Sequence, residues 1–197
     1  MLRLFLVFLI AVGLAAPLHA AKRPCPTKPQ RMPPAIESAD LPEVSQFSNV
    51  VTFAAVPSLE FPQRAWVIRL FQRTHGQPAT LSVVRLLGRY DCNIYDVETR
   101  WEVPLTAADY ETVARSIVPH VTPPPGTFTP GNDGEGISVV TDGTGLDLRV
   151  QAAGWQVTRG LNHGQREGAE LSAIFRRLLM LAVPAPERPD ESWRTRR

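Results

Sequence analysis

Leu146-Asp147-Leu148-Arg149-Val150, then Trp155-Gln156-Val157-Thr158-Arg159-Gly160-Leu161, then Leu171-Ser172-Ala173-Ile174-Phe175-Arg176-Arg177-Leu178-Leu179-Met180-Leu181-Ala182: these three runs decide the fold. The first two alternate apolar with polar residues, as half-buried strands do. In the third, Leu171, Ile174, Phe175, Leu178, Leu179 and Ala182 recur at the i, i+3, i+4, i+7 spacing of a helix with one buried face. Glu170, Arg176 and Arg177 fall off that stripe, and Pro184 stops it. A helix with one apolar stripe needs a sheet to cover, and two strands stand directly before it.

Outward from that stretch, residues 137–141 read as a short strand, Asp142-Gly143-Thr144-Gly145 as a turn and Ala153-Gly154 as a tight turn. The first half has the same order. Trp66-Val-Ile-Arg-Leu-Phe-Gln-Arg73 ends at a turn cluster, Thr74-His75-Gly76-Gln77-Pro78, and residues 80–90 return as its hairpin partner. Val97-Glu-Thr-Arg-Trp-Glu-Val-Pro-Leu105 alternates as a third strand, with Pro104 at its end or on an edge. Thr106-Ala-Ala-Asp109 is a helix start, Tyr110, Val113, Ala114 and Ile117 its buried stripe, and Pro119 its stop. Val50-Val-Thr-Phe-Ala-Ala-Val56 is strand-like, although its continuous apolarity also suits a buried helical turn.

These readings predict an α+β two-layer sandwich, an antiparallel sheet of about six strands with two helices on one face. Strand-strand-strand-helix then occurs twice, which raises the hypothesis of a duplicated unit, although residue identities match poorly between the halves. The side chains expected between sheet and helices are Trp66, Ile68, Leu70, Val84, Leu86, Trp101, Val103, Leu146, Leu148, Val150, Trp155 and Val157.

Residues 1–20 are set apart from the fold. Arg3, a hydrophobic run over residues 4–16 and Leu18-His19-Ala20 before Ala21 have the form of a secretory signal peptide, too short and too soon followed by Pro17 to be a membrane span. Residues 21–48 form a Pro-rich arm, 49–183 one α+β domain, and 184–197 a charged tail of disordered composition. About 177 residues after cleavage suit one domain. A Pro/Gly-rich loop at 121–136 is the strongest linker or flap signal inside that domain. The formal net charge of +2 is too small for a dedicated nucleic-acid binder. The chain's two cysteines, Cys25 and Cys92, are expected to form a disulfide in an oxidising compartment, the periplasm or the exterior, tying the arm to the domain.

Chemistry-bearing motifs are sparse. His75, His120 and His163 show no metal-ligand spacing, and Gly-x-Ser-x-Gly, Ser-x-x-Lys and phosphate-loop patterns do not occur, so neither a metal nor a cofactor is implied. His75 and His163 each open a His-Gly-Gln turn, which serves the turn unless the two meet in one site. Asn132-Asp133-Gly134-Glu135-Gly136 lacks calcium-loop spacing, and Asp91 and Asp96 flank Cys92 as solvated carboxylates or an acid-base pair.

By alternation Arg69, Phe71, Arg73, Arg100, Glu102, Arg149, Gln151, Gln156 and Thr158 face away from the helices. Arg69, Phe71, Arg73, Arg100 and Arg149 are therefore the candidate partner surface, with Phe71 as an aromatic anchor among arginines unless the arm or the loop covers it. The expected function is a small exported binding or accessory module whose partner is a periplasmic or envelope protein. It has no nucleic acid and no membrane span after cleavage. The alternatives are a hydrolase assembled from His75, His163, Asp91 and Asp142, and a structural envelope protein tethered by its Pro-rich ends. Oligomeric state is not encoded in any motif.

Overall fold

The computed structural model describes residues 24–28, 32, 34–38, 49–57, 64–74, 76–121, 144–152, 155–162 and 166–189. The expected signal peptide, most of the 121–136 loop, the strand expected at 137–141, His75, His163 and residues 190–197 lie outside them. In chain order the elements are β1 (Asn49–Pro57), β2 (Arg64–Gln72), β3 (Ala79–Arg89), β4 (Ile94–Leu105), α1 (Ala107–Val121), β5 (Thr144–Ala152), β6 (Trp155–Asn162) and α2 (Arg166–Ala182). The six strands make one antiparallel sheet in the order β4-β3-β2-β1-β5-β6, with both helices on one face. This is the α+β sandwich that the patterning predicts.

β1 explains its own ambiguous sequence. It lies in the middle of the sheet, paired to β2 on one side and β5 on the other, and residues from Val50 to Ala55 are buried on both pleat faces. A strand covered on both faces has no solvent side to mark with polar residues, so its apolar run does not alternate. The hairpin β2–β3 and the neighbouring β4 complete a meander to one side, and β5–β6 extend the other.

On the helix face, Val51, Phe53, Ile68, Leu70, Leu81, Val83, Leu146 and Leu148 meet Ile117 of α1 and Leu171, Phe175, Leu178 and Leu179 of α2. Phe53 and Phe175 touch edge to face, with ring centroids 6.2 Å apart. Each fully buried side chain of this size contributes about 1.5–3 kcal/mol, so the α2 stripe is a major part of the fold's stability. Thr106 caps α1, its hydroxyl accepting the Asp109 amide at 3.1 Å and donating to the Asp109 carboxylate at 2.6 Å. Pro119 does not end α1. It sits in the last turn, where its missing N–H removes one bond, and the helix runs on to Val121.

Two predicted core residues take the opposite face. Val84 and Leu86 point away from the helices, because Leu81 and Val83 set the phase of β3 and Arg85, opposite Trp66, takes the next inward position. Val97 also turns away from Trp101. Arg85 pairs with Thr99 but Leu86 pairs with Val97, so Glu98 is an extra residue, a β-bulge that switches the sides of the strand. The Trp155 side chain lies outside the described ones.

The face away from the helices is covered too. A 3-10 turn at Ala35–Glu37 places buried Ala35 and Ile36 on Ala54, Ala65, Val67, Val84, Leu86, Tyr95 and Val97. The amino-terminal arm is held there by the Cys25–Cys92 disulfide and by Glu37, whose carboxylate lies 2.9 Å from Arg149. Among the described residues no helix is long and apolar enough to cross a membrane.

Candidate binding site

Among the described residues, a concentration of charge backed by buried aromatic rings lies where the bulge of β4 meets β2 and β3. β2 supplies Arg64 and Trp66, β3 Arg85, and β4 Glu98, Thr99 and Trp101. The Trp66 and Trp101 rings stack with centroids 5.9 Å apart and planes 12° off parallel. The Arg85 guanidinium carbon lies over both, 5.6 and 5.5 Å from their centroids. Such cation–π contacts are worth about 0.5–2 kcal/mol each, the larger value where water is excluded, and Arg85 is largely buried.

The edges of the guanidinium are also committed. Nε lies 2.7 Å from the Glu98 carboxylate and Nη2 donates to the Thr99 hydroxyl at 3.1 Å. Nη1 donates to the Glu187 carboxylate at 3.0 Å and, more weakly, to the Glu187 carbonyl at 3.4 Å. Glu98 is shared with Arg64, whose Nε and Nη2 donate to it at 3.1 and 3.4 Å. Burial alone would push the Glu98 carboxyl up, but the Arg64 hydrogen bonds and the Arg85 charge outweigh it and hold Glu98 below the usual carboxylate range.

Glu187 belongs to a strap that the sequence placed in the disordered tail. Residues 184–189 instead form a 3-10 turn, Ala185–Glu187, seated at the corner of the sheet. Arg188 anchors the strap by donating to the Val183 and Met180 carbonyls at 2.9 and 3.1 Å, which also caps the end of α2. Arg64, Trp66, Arg85, Pro186, Glu187, Arg188 and Pro189 line an open recess of about 210 Å³. Chemically, the corner presents a fixed guanidinium with an aromatic backing, which suits recognition of a carboxylate.

Around the disulfide a second arginine is clamped. Arg89 donates to Asp96 at 3.0 Å, lies 3.5 Å from Asp91, and sets Nη2 2.8 and 3.2 Å from the Cys92 and Cys25 sulfurs. The Asp96 bond, helped by Asp91, holds the guanidinium still more firmly protonated than usual. Asp91 and Asp96 thus neutralise Arg89 rather than facing each other as acid and base. Ligand-type atoms of Cys25, Asp91 and Cys92 lie within 4.8 Å of one another, but the cation beside them is this guanidinium.

The expected partner surface is placed on its predicted face but is not open throughout. Arg69 and Arg149 flank Thr52 in one cross-strand row, and Arg69 is opposite Ser82, itself opposite Glu102. Thr52 and Ser82 are buried and Arg69, Arg100 and Arg149 half-buried. Phe71 is only 9 % exposed, so it is a covered side chain rather than a projecting anchor, and Arg73 is exposed just past the end of β2. Under the arm, burial raises the Asp147 carboxyl against the pull of Arg149, with Glu37 adding to the rise. Burial, with Tyr90 and Asp147 nearby, pushes the Tyr95 phenol up to about 12.

His75, His163 and Asp142 of the alternative hydrolase lie outside the described residues. The strands leading to the two histidines finish at opposite ends of the sheet: Gln72 is level with Asn49 and Ala152, whereas Asn162 is level with Gly145 and Val56. His120 is buried in the last turn of α1, its Nε2 4.0 Å from the Glu170 carboxylate. The Arg85 corner escaped the sequence reading because the bulge and the phase of β3 were not legible. The signal that pointed to it was a lone charge, Arg85, between Val83-Val84 and Leu86-Leu87. The chain matches no protein-family model, no curated protein and no solved structure.

Proposed function

We propose that the protein is an exported binding or accessory module that acts by contact with another protein in the periplasm or outside the cell. The observation that carries this reading is the Arg85 corner: a guanidinium oriented by Glu98, Thr99, Trp66 and Trp101, with its last edge turned to a half-exposed carboxylate at the rim of a recess. A cation held this firmly loses little freedom when it binds, which favours recognition. Export is supported by the hydrophobic leader ahead of Ala21 and by the Cys25–Cys92 disulfide.

The test is crosslinking of the tagged mature chain in its own compartment, comparing the natural chain with Arg85→Lys and with the sheet-face double variant Arg100→Glu/Arg149→Glu. A partner captured by the natural chain and lost with Arg85→Lys is the expected result. Capture undiminished by either variant would remove both surfaces from the reading.

A further inference from the structure

We propose that the Arg64–Trp66–Arg85 corner recognises a short peptide that presents a carboxylate beside proline on a 3-10 turn, and that residues 184–189, which form the other wall of the recess, are its intramolecular occupant. The inference rests on the binding-module reading and names its ligand class.

The occupant shows what the site accepts. Arg85 Nη1 reads one residue twice, through the Glu187 side chain and the Glu187 carbonyl. Pro186 and Pro189 line the recess alongside Trp66, Ala185–Glu187 form the 3-10 turn that carries Glu187 to Arg85, and the flanking residues Pro184 (φ −58°, ψ 145°) and Arg188 (φ −68°, ψ 146°) lead into and out of that turn with extended backbone. Proline on either side of the glutamate suits such a site, because proline has little freedom left to lose on binding.

The sheet side of the corner is fixed largely by the strands themselves. Of the four sheet groups that fix Arg85 directly, Trp66, Thr99 and Trp101 lie in buried positions on strands, and Glu98 is pinned by Arg64. The strap is the loose partner: residues 184–187 are exposed, and the Glu187 side chain is 46 % exposed against 17 % for Arg85. Displacement exchanges one carboxylate for another at constant charge. A tethered occupant competes at an effective concentration in the millimolar range, so the strap sets a threshold that an external segment must exceed.

The experiment titrates an acetylated, amidated Pro-Ala-Pro-Glu-Arg-Pro peptide into the full mature chain and follows the indole N–H resonances of Trp66 and Trp101. The natural chain should bind weakly. Glu187→Gln should bind about two- to fivefold more tightly, the range expected from removing an exposed ion pair. Arg85→Lys should lose at least about tenfold, because lysine cannot reproduce the fork and the ring contact, and a peptide with glutamine for glutamate should lose about two- to fivefold, the value of the same exposed ion pair. If Glu187→Gln stays folded by circular dichroism and neither indole signal moves, the contact is a structural strut and the inference fails. Dimers of the natural chain that vanish in Glu187→Gln would assign the recess to a second copy's strap and overturn an external ligand. Failure of the peptide while Arg85→Lys still abolishes capture would sink the ligand class and leave the binding-module reading standing. Loss of both would sink the two together.

Discussion

Replacing Cys25 and Cys92 by serine removes the covalent tie between the arm and the β3–β4 turn, and its cost can be worked from the loop it closes. The cysteines are 67 residues apart, and on chain-entropy grounds a loop of that length restricts the unfolded chain by about 4 kcal/mol. For a domain of this size each kcal/mol moves Tm by roughly 2–4 °C, so the fall should be about 8–16 °C. The folded state should change little, since Arg89 keeps Asp96 and Ile36 keeps its apolar seat. Far-UV circular dichroism should therefore overlay before melting. Ile36→Ala supplies the control: in the disulfide-bonded chain it should cost about 2 kcal/mol or more, and in the serine variant less, because an untethered arm leaves more easily. A Tm drop under about 3 °C, or an Ile36→Ala cost unchanged by loss of the disulfide, would refute the account of the arm as a tethered cover.

Phe175→Ala should destabilise by about 3–5 kcal/mol in urea melts, because the ring is wholly buried against Phe53. Glu98 is held below its ordinary pKa, so its contribution is present above the unfolded value and lost as pH falls through the folded one; the Tm gap between the natural chain and Glu98→Gln should be full at pH 6 and close in the acid range below about pH 4. Asp147 has the opposite sign. Its ionised form is disfavoured by folding, so Asp147→Asn should raise Tm at pH 7, and the gain should vanish once acid protonates the natural carboxyl; a loss at pH 7 would contradict the burial argument.

What could be read from residues was whatever a single period governs. The α2 stripe and the alternation of β5 follow from 3.6 and 2, and both appear as expected. The half of β3 that reads Val83-Val84-Arg85-Leu86-Leu87 offers both phases equally, and only its neighbours choose one. Glu98 breaks the period of β4 with no local mark, since bulges are set by pairing across strands rather than by a turn residue. Those two features together hid the Arg85 corner. The strap was hidden by composition: proline and charge describe a disordered tail equally well, until Arg188 finds the α2 carbonyls and Glu187 finds Arg85.

The place of β1 also bears on the order in which the protein can assemble. It is the first of the described strands to emerge during synthesis, yet it occupies the middle of the finished sheet, and its second neighbour comes much later: Thr52 must wait for Arg149. Until β5 arrives, the β1–β4 meander carries a bare edge along a strand that is apolar on both faces, the kind of edge that pairs with the wrong chain. Both cysteines precede α1, so the arm can be fastened across the unfinished half while that edge is still open. The disulfide then acts in time as well as in space, holding the first four strands together until the last two close the sheet.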